Sequence, residues 1–405
     1  MDVFKYIKIW VFMLLALLVT GCSEDEVPPV VADKPVFVMY IQLPESVLAT
    51  TRSESEYDIF ADLSIESRVK SLDVWVFPSG NSTQIDMGDG VTKKDYLYDH
   101  LDAAAFTQGV TTITFNVGDD FLVYNDGLTL DIYVVVNASS IGKSWNLQGT
   151  TTKAELENIV FGFDGDTDTY FGTTTLTTPA DIDDDVTNNI VGKGLPMSGY
   201  LKNAAIISQD GQFTTDKIFI KRSVSKLRFV LAKAAGMAQA KINSIKLDGG
   251  KIPTNIYIFR GTEEDNGAAL HDTWTATTYV TNDDITWNLG TVSIPEHPNP
   301  ASLKWGNSFT PQAWEDALND AIDNGTALEY TRIYLRESPL KLSGTINYQT
   351  INGDNVDKDV NFEMDNEGDI LRNHSWTVYI YLYQGGLVFE VAKWGTQSVD
   401  VKPFI

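Results

Sequence analysis

The sequence has little of what several common kinds of functional site require. A single cysteine, Cys22, allows no disulfide within the chain and no cysteine-rich metal site. The four histidines lie far apart, without the spacing of metal ligands. Basic residues are scarce, since 30 lysines and arginines stand against 55 aspartates and glutamates, for a net charge of −25. The scarcity of cysteine and histidine weighs against a zinc enzyme and against thiol redox chemistry. The negative charge weighs against nucleic-acid binding, because such a chain repels phosphate backbones.

Motifs for catalysis and cofactor binding are also missing. There is no Gly-x-Ser-x-Gly elbow, phosphate loop or dinucleotide fingerprint. Residues 164–168 resemble half of a calcium loop, but Thr169 and Thr175 stand where an EF-hand needs Gly and Glu. The aspartates of 181–185 fit either a cation site or a solvated loop, so calcium binding over 164–185 stays open. We therefore predict no enzyme, no catalytic residue, no metal site and no cofactor.

The first residues of the chain have the pattern of an export signal. Lys5 and Lys8 precede an unbroken apolar run from Ile9 to Val19. This run is shorter than the roughly 20 apolar residues that cross a bilayer. It ends in Val19-Thr20-Gly21-Cys22, which matches the bacterial lipobox. We predict that residues 1–21 are a signal peptide, and that Cys22 is acylated, for example with palmitate, to anchor the chain to a membrane.

The residues after Cys22 indicate the compartment. The acidic run Ser23-Glu24-Asp25-Glu26 resembles the surface-export tag of lipoproteins from Bacteroidetes-type bacteria. The stretch 27–34 contains two adjacent prolines and little that can pack, which is typical of a spacer. Outer membrane and cell surface are therefore the predicted location.

Apolar residues alternate with polar ones through most of the remaining chain, which predicts β-strands. Strands are expected at Pro35–Leu43, Val69–Phe77, Thr111–Val117, Leu128–Val136 and Lys217–Leu231, and again at Ile242–Leu247, Thr345–Gln349, Trp376–Tyr383 and Leu387–Val391. Helices are expected at Asp95–Phe106, Thr152–Phe161 and Thr310–Asn324, with Trp314 on the core face of the last. The fold class is therefore all-β with a few short helices. Two β-sandwich domains in tandem fit this pattern, at 53–208 and 209–405, with Ser208–Thr215 as the boundary.

The nine tryptophans leave a second class of function open. Trp75 and Trp376 stand in apolar strands, where core packing is expected. Trp274, Trp287 and Trp305 have polar surroundings, and exposed tryptophans in a surface lipoprotein can form a platform for glycans. The alternative reading is thus a surface glycan-binding lipoprotein of a polysaccharide-uptake system.

Several segments in order along residues 22–394 carry a resemblance to a known family. They are the lipobox at Cys22 followed by a strand and Thr50-Thr51-Arg52, the strand Val69–Phe77, Leu195-Pro196-Met197-Ser198-Gly199 followed by Lys221–Leu227, Arg372–Val378, and Val391-Ala392-Lys393-Trp394. Together they resemble the fimbrillins, the subunits of type V pili in Bacteroidales. The chain departs from the family pattern at Ser225, where Ala is usual, and at Trp376, where Tyr is usual.

The resemblance implies an assembly mechanism. Fimbrillin precursors travel as lipoproteins, and an Arg-specific protease of the gingipain type then cuts in an N-terminal loop. Here Arg52 matches the cut position, with Ser53 as the new N-terminus. The cut would remove 22–52, which comprises the lipidated tether and the first strand. A C-terminal strand of a neighbouring subunit then fills the groove that is left.

The residues of this exchange can be named. Phe37, Met39, Ile41 and Leu43 share one face of the removable strand, and Val36, Val38 and Tyr40 share the other. The tail 395–405 is long enough to cross a sandwich, and Val399, Val401 and Ile405 on one face make it a candidate donor strand. Pro403 weakens this donor near its end because it lacks an N–H.

The leading expectation is therefore a structural, non-enzymatic fimbrial subunit with two transthyretin-like domains that supports cell adhesion. Its expected partners are other pilin subunits in a homo- or hetero-polymer, an Arg-specific protease, a host protein or glycan, and the outer membrane through the lipid before cleavage. Residues 80–90 and 164–189 are candidate adhesion loops. The choice between shaft, tip and anchor subunit stays open.

Overall fold

The computed structural model describes residues 35–43, 69–80, 82–102, 110–145, 151–162, 194–209, 211–253, 255–259, 270, 285–305, 311–362 and 372–395. Cys22, Arg52, Ser53, Val399, Val401, Ile405 and the loop 164–189 lie outside these residues. Within the described ranges, no helix has the length and apolar character needed to cross a membrane.

The described chain is built mainly of strands, which confirms the predicted all-β class. Its first strands are β1 (Val36–Gln42), β2 (Ser71–Pro78), β3 (Ile85–Asp86), β4 (Lys93–Lys94), β5 (Leu97–Asp102), β6 (Val110–Asn116), β7 (Thr129–Val136), β8 (Val160–Gly162), β9 (Met197–Ala205), β10 (Ile207–Gln209), β11 (Gln212–Thr214), β12 (Ile218–Phe219) and β13 (Lys221–Arg222). The others are β14 (Val224–Ala234), β15 (Lys241–Leu247), β16 (Asn255–Tyr257), β17 (Ile285–Asn288), β18 (Glu296–His297), β19 (Leu328–Arg336), β20 (Ser343–Gln349), β21 (Asn355–Asn361), β22 (His374–Tyr383) and β23 (Gly386–Gly395). The α-helices in this part of the chain are α1 (Phe121–Tyr124), α2 (Lys153–Glu157) and α3 (Pro311–Asp323).

The first half of the chain forms two five-stranded sheets. Sheet 1 contains β10, β11, β12, β1 and β6, and sheet 2 has the order β13-β9-β7-β2-β5. The two sheets come very close at Gly199 in β9, where a Cβ atom would lie 2.3 Å from the main-chain oxygen of Phe219 in β12. Apolar side chains of both sheets belong to one buried core.

The second half forms another two sheets. In sheet 3, β14 lies between β22 on one side and β19 with β18 on the other, and β23 pairs with β22. Sheet 4 has the order β17-β15-β20-β21. The ring of Phe229 in β14 packs edge-on against Phe362, which follows β21, at 6.4 Å between centroids. The tandem pairs of sheets agree with the predicted two-sandwich architecture, whereas the transthyretin-like topology stays a prediction.

The strand pairing places the change from one pair of sheets to the other later than the sequence suggested. The predicted boundary between residues 208 and 209 falls inside β10, which forms a hairpin with β11. β11 and β12 then pair with β1, and β13 pairs with β9. The first pair of sheets therefore extends to Arg222, because these short strands complete its edges.

Two of the three predicted helices are present. In α2, Thr152 and Glu155 form a reciprocal capping box. In α3, Trp314 is fully buried, and its indole N–H donates to the main-chain oxygen of Leu303 at 2.7 Å. The helix expected over Asp95–Phe106 was wrong, because residues 97–102 form β5 and pair with β2.

Candidate strand-exchange site

β1 is hydrogen-bonded along both of its edges. All seven of its residues pair with β6 in antiparallel fashion, from Val36 opposite Asn116 to Gln42 opposite Val110. On its other edge β1 runs parallel to β11 and then to β12, with Phe37 beside Phe213 and Ile41 beside Ile218. We call the space between β6 on one side and β11 with β12 on the other the β1 groove.

The side chains of β1 fill the core of the first pair of sheets. Phe37, Met39 and Ile41 have no exposed surface, and Leu43 is 4% exposed. All four belong to the main core cluster, as their shared face predicted. Val36 and Val38 are also buried but lie outside that cluster, whereas Tyr40 is half-buried.

An aromatic group closes the groove around the first half of β1. The ring of Phe37 lies 6.4 Å from Phe115 of β6 and 5.6 Å from Phe121 of α1. Phe121 in turn lies 5.3 Å from Phe213 of β11. The main-chain oxygen of Pro35, just before β1, accepts a hydrogen bond from Val117 at 3.3 Å. This group places the largest fully buried side chain of β1 at a fixed position, which defines the register of the strand.

The sequence foresaw β1 and its neighbour β6 but not the opposite wall of the groove. β11 has only three residues, in a stretch interpreted as a domain boundary, and β12 has two, at the start of what was expected to be one long strand over Lys217–Leu231. So few residues show no alternating pattern, and their apolar residues Phe213 and Ile218 were the available signal. They are strands because β1 offers them a partner edge.

Arg372, in one of the segments that carry the family resemblance, lies at the junction of the two pairs of sheets. There β8 pairs with β16, and the N–H of Ile258 donates to the oxygen of Ile159 at 2.9 Å. Arg372 donates to the main-chain oxygens of Tyr257 and Ile258, both at 2.7 Å, and to the carboxylate of Glu337. These residues thus have a structural role in holding the two halves together.

A second charged group joins α2 to sheet 2. Asp131, 2% exposed, accepts hydrogen bonds from Ser79, Lys153 and Lys202. Burial by itself raises the pKa of Asp131, but the hydrogen bonds from Lys153, Lys202 and Ser79 outweigh it and lower the pKa to about 2. The carboxyl group of Asp131 therefore stays ionised at neutral pH, which suits an ion pair and not a general acid.

The predicted adhesion loop 80–90 leads into the β3–β4 hairpin. Asp89 accepts hydrogen bonds from the N–H groups of Val91 and Thr92, at 2.9 and 2.6 Å. The hydroxyl of Thr92 also donates to Asp89 and has the largest effect on it. Together these hydrogen bonds lower the pKa of Asp89 to about 2. Val91 is 84% exposed at the turn. The loop is thus ordered by its own side chains, and its role in adhesion stays a prediction.

The structure describes three of the tryptophans on which the glycan-binding alternative depends or from which it was distinguished. Trp75 and Trp376 are buried, as expected. Trp305, a candidate glycan platform, is half-buried and packs edge-on against Trp314 at 5.3 Å, so it is part of a core. Trp274 and the side chain of Trp287 lie outside the description. No group of three or more potential metal ligands occurs among the described residues.

Comparison with known proteins gives structural similarity alone. No protein-family model and no curated protein matches the chain. Similar solved structures include a protein described as a cell adhesion protein from Parabacteroides distasonis, with 13% identity, 89% of this chain and 98% of that chain covered, and a TM-score of 0.45. Another is the C-terminally truncated tip fimbrial protein Mfa3 from Porphyromonas gingivalis, with 12% identity, coverage of 89% and 99%, and a TM-score of 0.43. A third is a fimbrial assembly protein from P. distasonis, with 10% identity, coverage of 89% and 98%, and a TM-score of 0.39. Because these scores are low, the functional argument rests on the residues of this chain.

Proposed function

We propose that the protein is a fimbrial subunit that is exported as a lipoprotein, cut after Arg52 and assembled at the cell surface by strand exchange. The observation that carries the proposal is the position of β1. It is the first strand of the described chain, yet it is paired along both edges and buried in the core. The lipobox precedes this strand and Arg52 follows it. One cut at Arg52 therefore separates both the anchor and β1 from the rest of the chain.

The energetics favour replacement of β1 over an empty groove. Loss of β1 would remove the side chains of Phe37, Met39, Ile41 and Leu43 from the core. Each of them stabilises the fold by about 1.5–3 kcal/mol when it is buried. It would also leave unpaired main-chain groups on β6 and on β11 with β12, and such edges accept another strand. A strand from a neighbouring subunit restores both contributions. Head-to-tail exchange does not close on itself, so it yields a fibre.

The proposal is tested first by cleavage. The chain from residue 23 is treated briefly with an Arg-specific protease, and the products are measured by intact mass. We expect a product that starts at Ser53, and we expect Arg52→Gln to abolish it. A folded chain that resists cutting at Arg52 would contradict the proposal.

The second test asks whether β1 can be exchanged. The cut chain is incubated with an excess of a fluorescent peptide of residues 35–43, and incorporation is followed on native gels. We expect the peptide to replace β1, and a Phe37→Asp, Met39→Asp peptide to fail because it puts charges in the core.

Export is tested separately, since Cys22→Ser should abolish incorporation of labelled palmitate.

A further inference from the structure

The first half of β1 is buried on both of its faces. Val36, Phe37, Val38 and Met39 are at most 3% exposed. Phe37 and Met39 face the main core, and Val36 and Val38 are enclosed on the opposite side. From Tyr40 onward only one face is fully buried. Any strand that occupies the β1 groove must therefore supply four consecutive apolar residues at its start and alternation after them.

The walls of the groove around Phe37 have little to offer a polar side chain. The residues around Phe37 are the aromatic rings of Phe115, Phe121 and Phe213. Beside Val38 in the ladder, Thr214 is 4% exposed, and its hydroxyl already donates to the main-chain oxygen of Thr215 at 3.2 Å. A buried polar group without a hydrogen-bond partner destabilises a structure. The groove thus selects most strongly against a polar side chain at the place of Phe37, whereas on the other face Thr114 and Asn116 of β6 lie opposite Val38 and Val36 and are exposed.

The candidate donor strand 395–405 does not have the required pattern. Its sequence is Gly-Thr-Gln-Ser-Val-Asp-Val-Lys-Pro-Phe-Ile, residues 395–405. In the direction of β1, every register that fills all four positions places at least one polar or charged residue among them. The register that keeps Val399 and Val401 on the core face and leaves Pro403 beyond the β1 ladder puts Val399 at the position of Met39 and Val401 at that of Ile41. Even there, Thr396, Gln397 and Ser398 take the places of Val36, Phe37 and Val38.

We propose that the β1 groove accepts the C-terminal strand of a different subunit, which begins with four consecutive apolar residues, and not the tail of a second copy of this chain. This inference rests on the proposed strand-exchange function. It assigns the chain to a junction between unlike subunits. After cleavage the chain stays monomeric by itself, because its own tail is a poor match for its own groove.

The test compares peptides in the cut chain. Fluorescent peptides of residues 35–43, of the tail 395–405, and of the tail with Thr396→Val, Gln397→Phe and Ser398→Val are each incubated with it. The triple substitution gives the run Val-Phe-Val-Val, which matches β1 on both faces. A tail with Thr396→Val and Ser398→Val alone is the control, since it adds apolar residues but keeps Gln397 at the place of Phe37. We expect the 35–43 peptide and the triply substituted tail to be incorporated at least about tenfold faster than the other two.

The outcomes separate the two proposals. If the unchanged tail is incorporated as fast as the 35–43 peptide, the groove accepts its own tail and the inference is overturned, while strand exchange stands. If the triply substituted tail is as slow as the unchanged tail, the pattern argument fails. If even the 35–43 peptide is excluded, both proposals fall. In the full chain, the three substitutions should convert a monomeric cut product into a ladder of oligomers.

Discussion

The hydroxyl of Ser198 donates a 2.6 Å hydrogen bond to the main-chain oxygen of Ile258. This bond connects β9 of sheet 2 to the segment after β16, the strand that pairs with β8. The same oxygen accepts a bond from Arg372 at 2.7 Å. Two of the segments that resemble the fimbrillins, at 195–199 and 372–378, therefore meet at one main-chain oxygen. Their role in this structure is to connect the first half of the chain to the second half.

The pair of Arg372 and Glu337 gives a first prediction. Glu337 has no exposed surface, and Arg372 is 6% exposed. Arg372→Met removes a buried guanidinium from that carboxylate, so we expect the free energy of unfolding in urea to fall by about 3–5 kcal/mol. Lys304→Met is the matched control. Lys304 forms a 3.3 Å pair with Glu390 and its side chain is 49% exposed, and such a surface pair contributes about 0–1 kcal/mol. Equal losses in the two variants would contradict the prediction.

The close approach of sheets 1 and 2 at Gly199 gives a second prediction. A Cβ atom there would also lie 2.7 Å from the side chain of Ile220. We expect Gly199→Ala to destabilise the chain by about 1–3 kcal/mol through overpacking. Gly290→Ala is the control because a Cβ atom at Gly290 meets nothing within 4 Å. Thermal unfolding of the two variants checks this, and a neutral Gly199→Ala would show that the sheets separate at little cost.

Phe37 gives a third prediction, on how firmly β1 is held. Phe37→Ala removes a fully buried ring from the aromatic group of Phe115 and Phe121, so we expect a loss of about 3–5 kcal/mol in unfolding free energy. After cleavage at Arg52, the fragment that contains β1 should also leave faster. Thr114→Ala on the exposed face of β6 should change stability by no more than about 0.5 kcal/mol. A fragment that leaves at the same rate in both variants would exclude the Phe37 ring as its main anchor.

His100 gives a fourth prediction, on pH dependence. Its Nδ1 lies 2.8 Å from buried Asp73 and its Nε2 lies 3.1 Å from Asp102. Burial lowers the pKa of His100, but the bonds to these carboxylates outweigh it and leave the pKa raised. A histidine whose pKa is raised by folding stabilises the fold below its ordinary pKa, and that contribution is lost as the pH rises through the folded value. Burial also raises the pKa of Asp73, whose Oδ1 accepts a hydrogen bond from the hydroxyl of Tyr98 as well. The contribution of Asp73 to the stability of the fold therefore also falls as the pH rises.

The measurement is the unfolding midpoint in urea at about pH 5.5 and about pH 8.5, on either side of the ordinary histidine pKa. We expect the protein to lose more stability between these values than the His100→Gln variant does. His297→Gln is the control with the opposite sign, because burial lowers the pKa of His297. An unchanged pH dependence in His100→Gln would refute the assignment.

The sequence predicted about half of the described strands, because the apolar residues of these strands alternate, but it missed β9, β19 and β21. β1, β2, β6 and β7 lie within about two residues of the predicted limits. The failure at Asp95–Phe106 has a specific cause. Leu97 and Leu101 are four residues apart, a spacing that fits one face of a helix and also one face of a strand. Pairing with β2, which brings His100 opposite Asp73, decided for the strand.

The candidate site was predicted in part. The face shared by Phe37, Met39, Ile41 and Leu43 could be read from the residues alone, and the structure buries all four. The burial of Val36 and Val38 on the opposite face could not be read, since a run of apolar residues does not tell which of them are covered. Lipidation at Cys22, cleavage between Arg52 and Ser53, and donation by Val399, Val401 and Ile405 remain predictions.

The sequence by itself determined the all-β class, the alternation of β1 and the lack of a second cysteine for a disulfide within these residues, because these depend on residue types and on spacing along the chain. Only the tertiary structure decided that β1 lies between β6 and the two short strands β11 and β12, more than 160 residues further on. Hydrogen bonds between strands join main-chain groups, and main-chain groups are alike at nearly every residue. The choice of partner strand therefore depends on how the whole core packs, and a local pattern cannot reveal it.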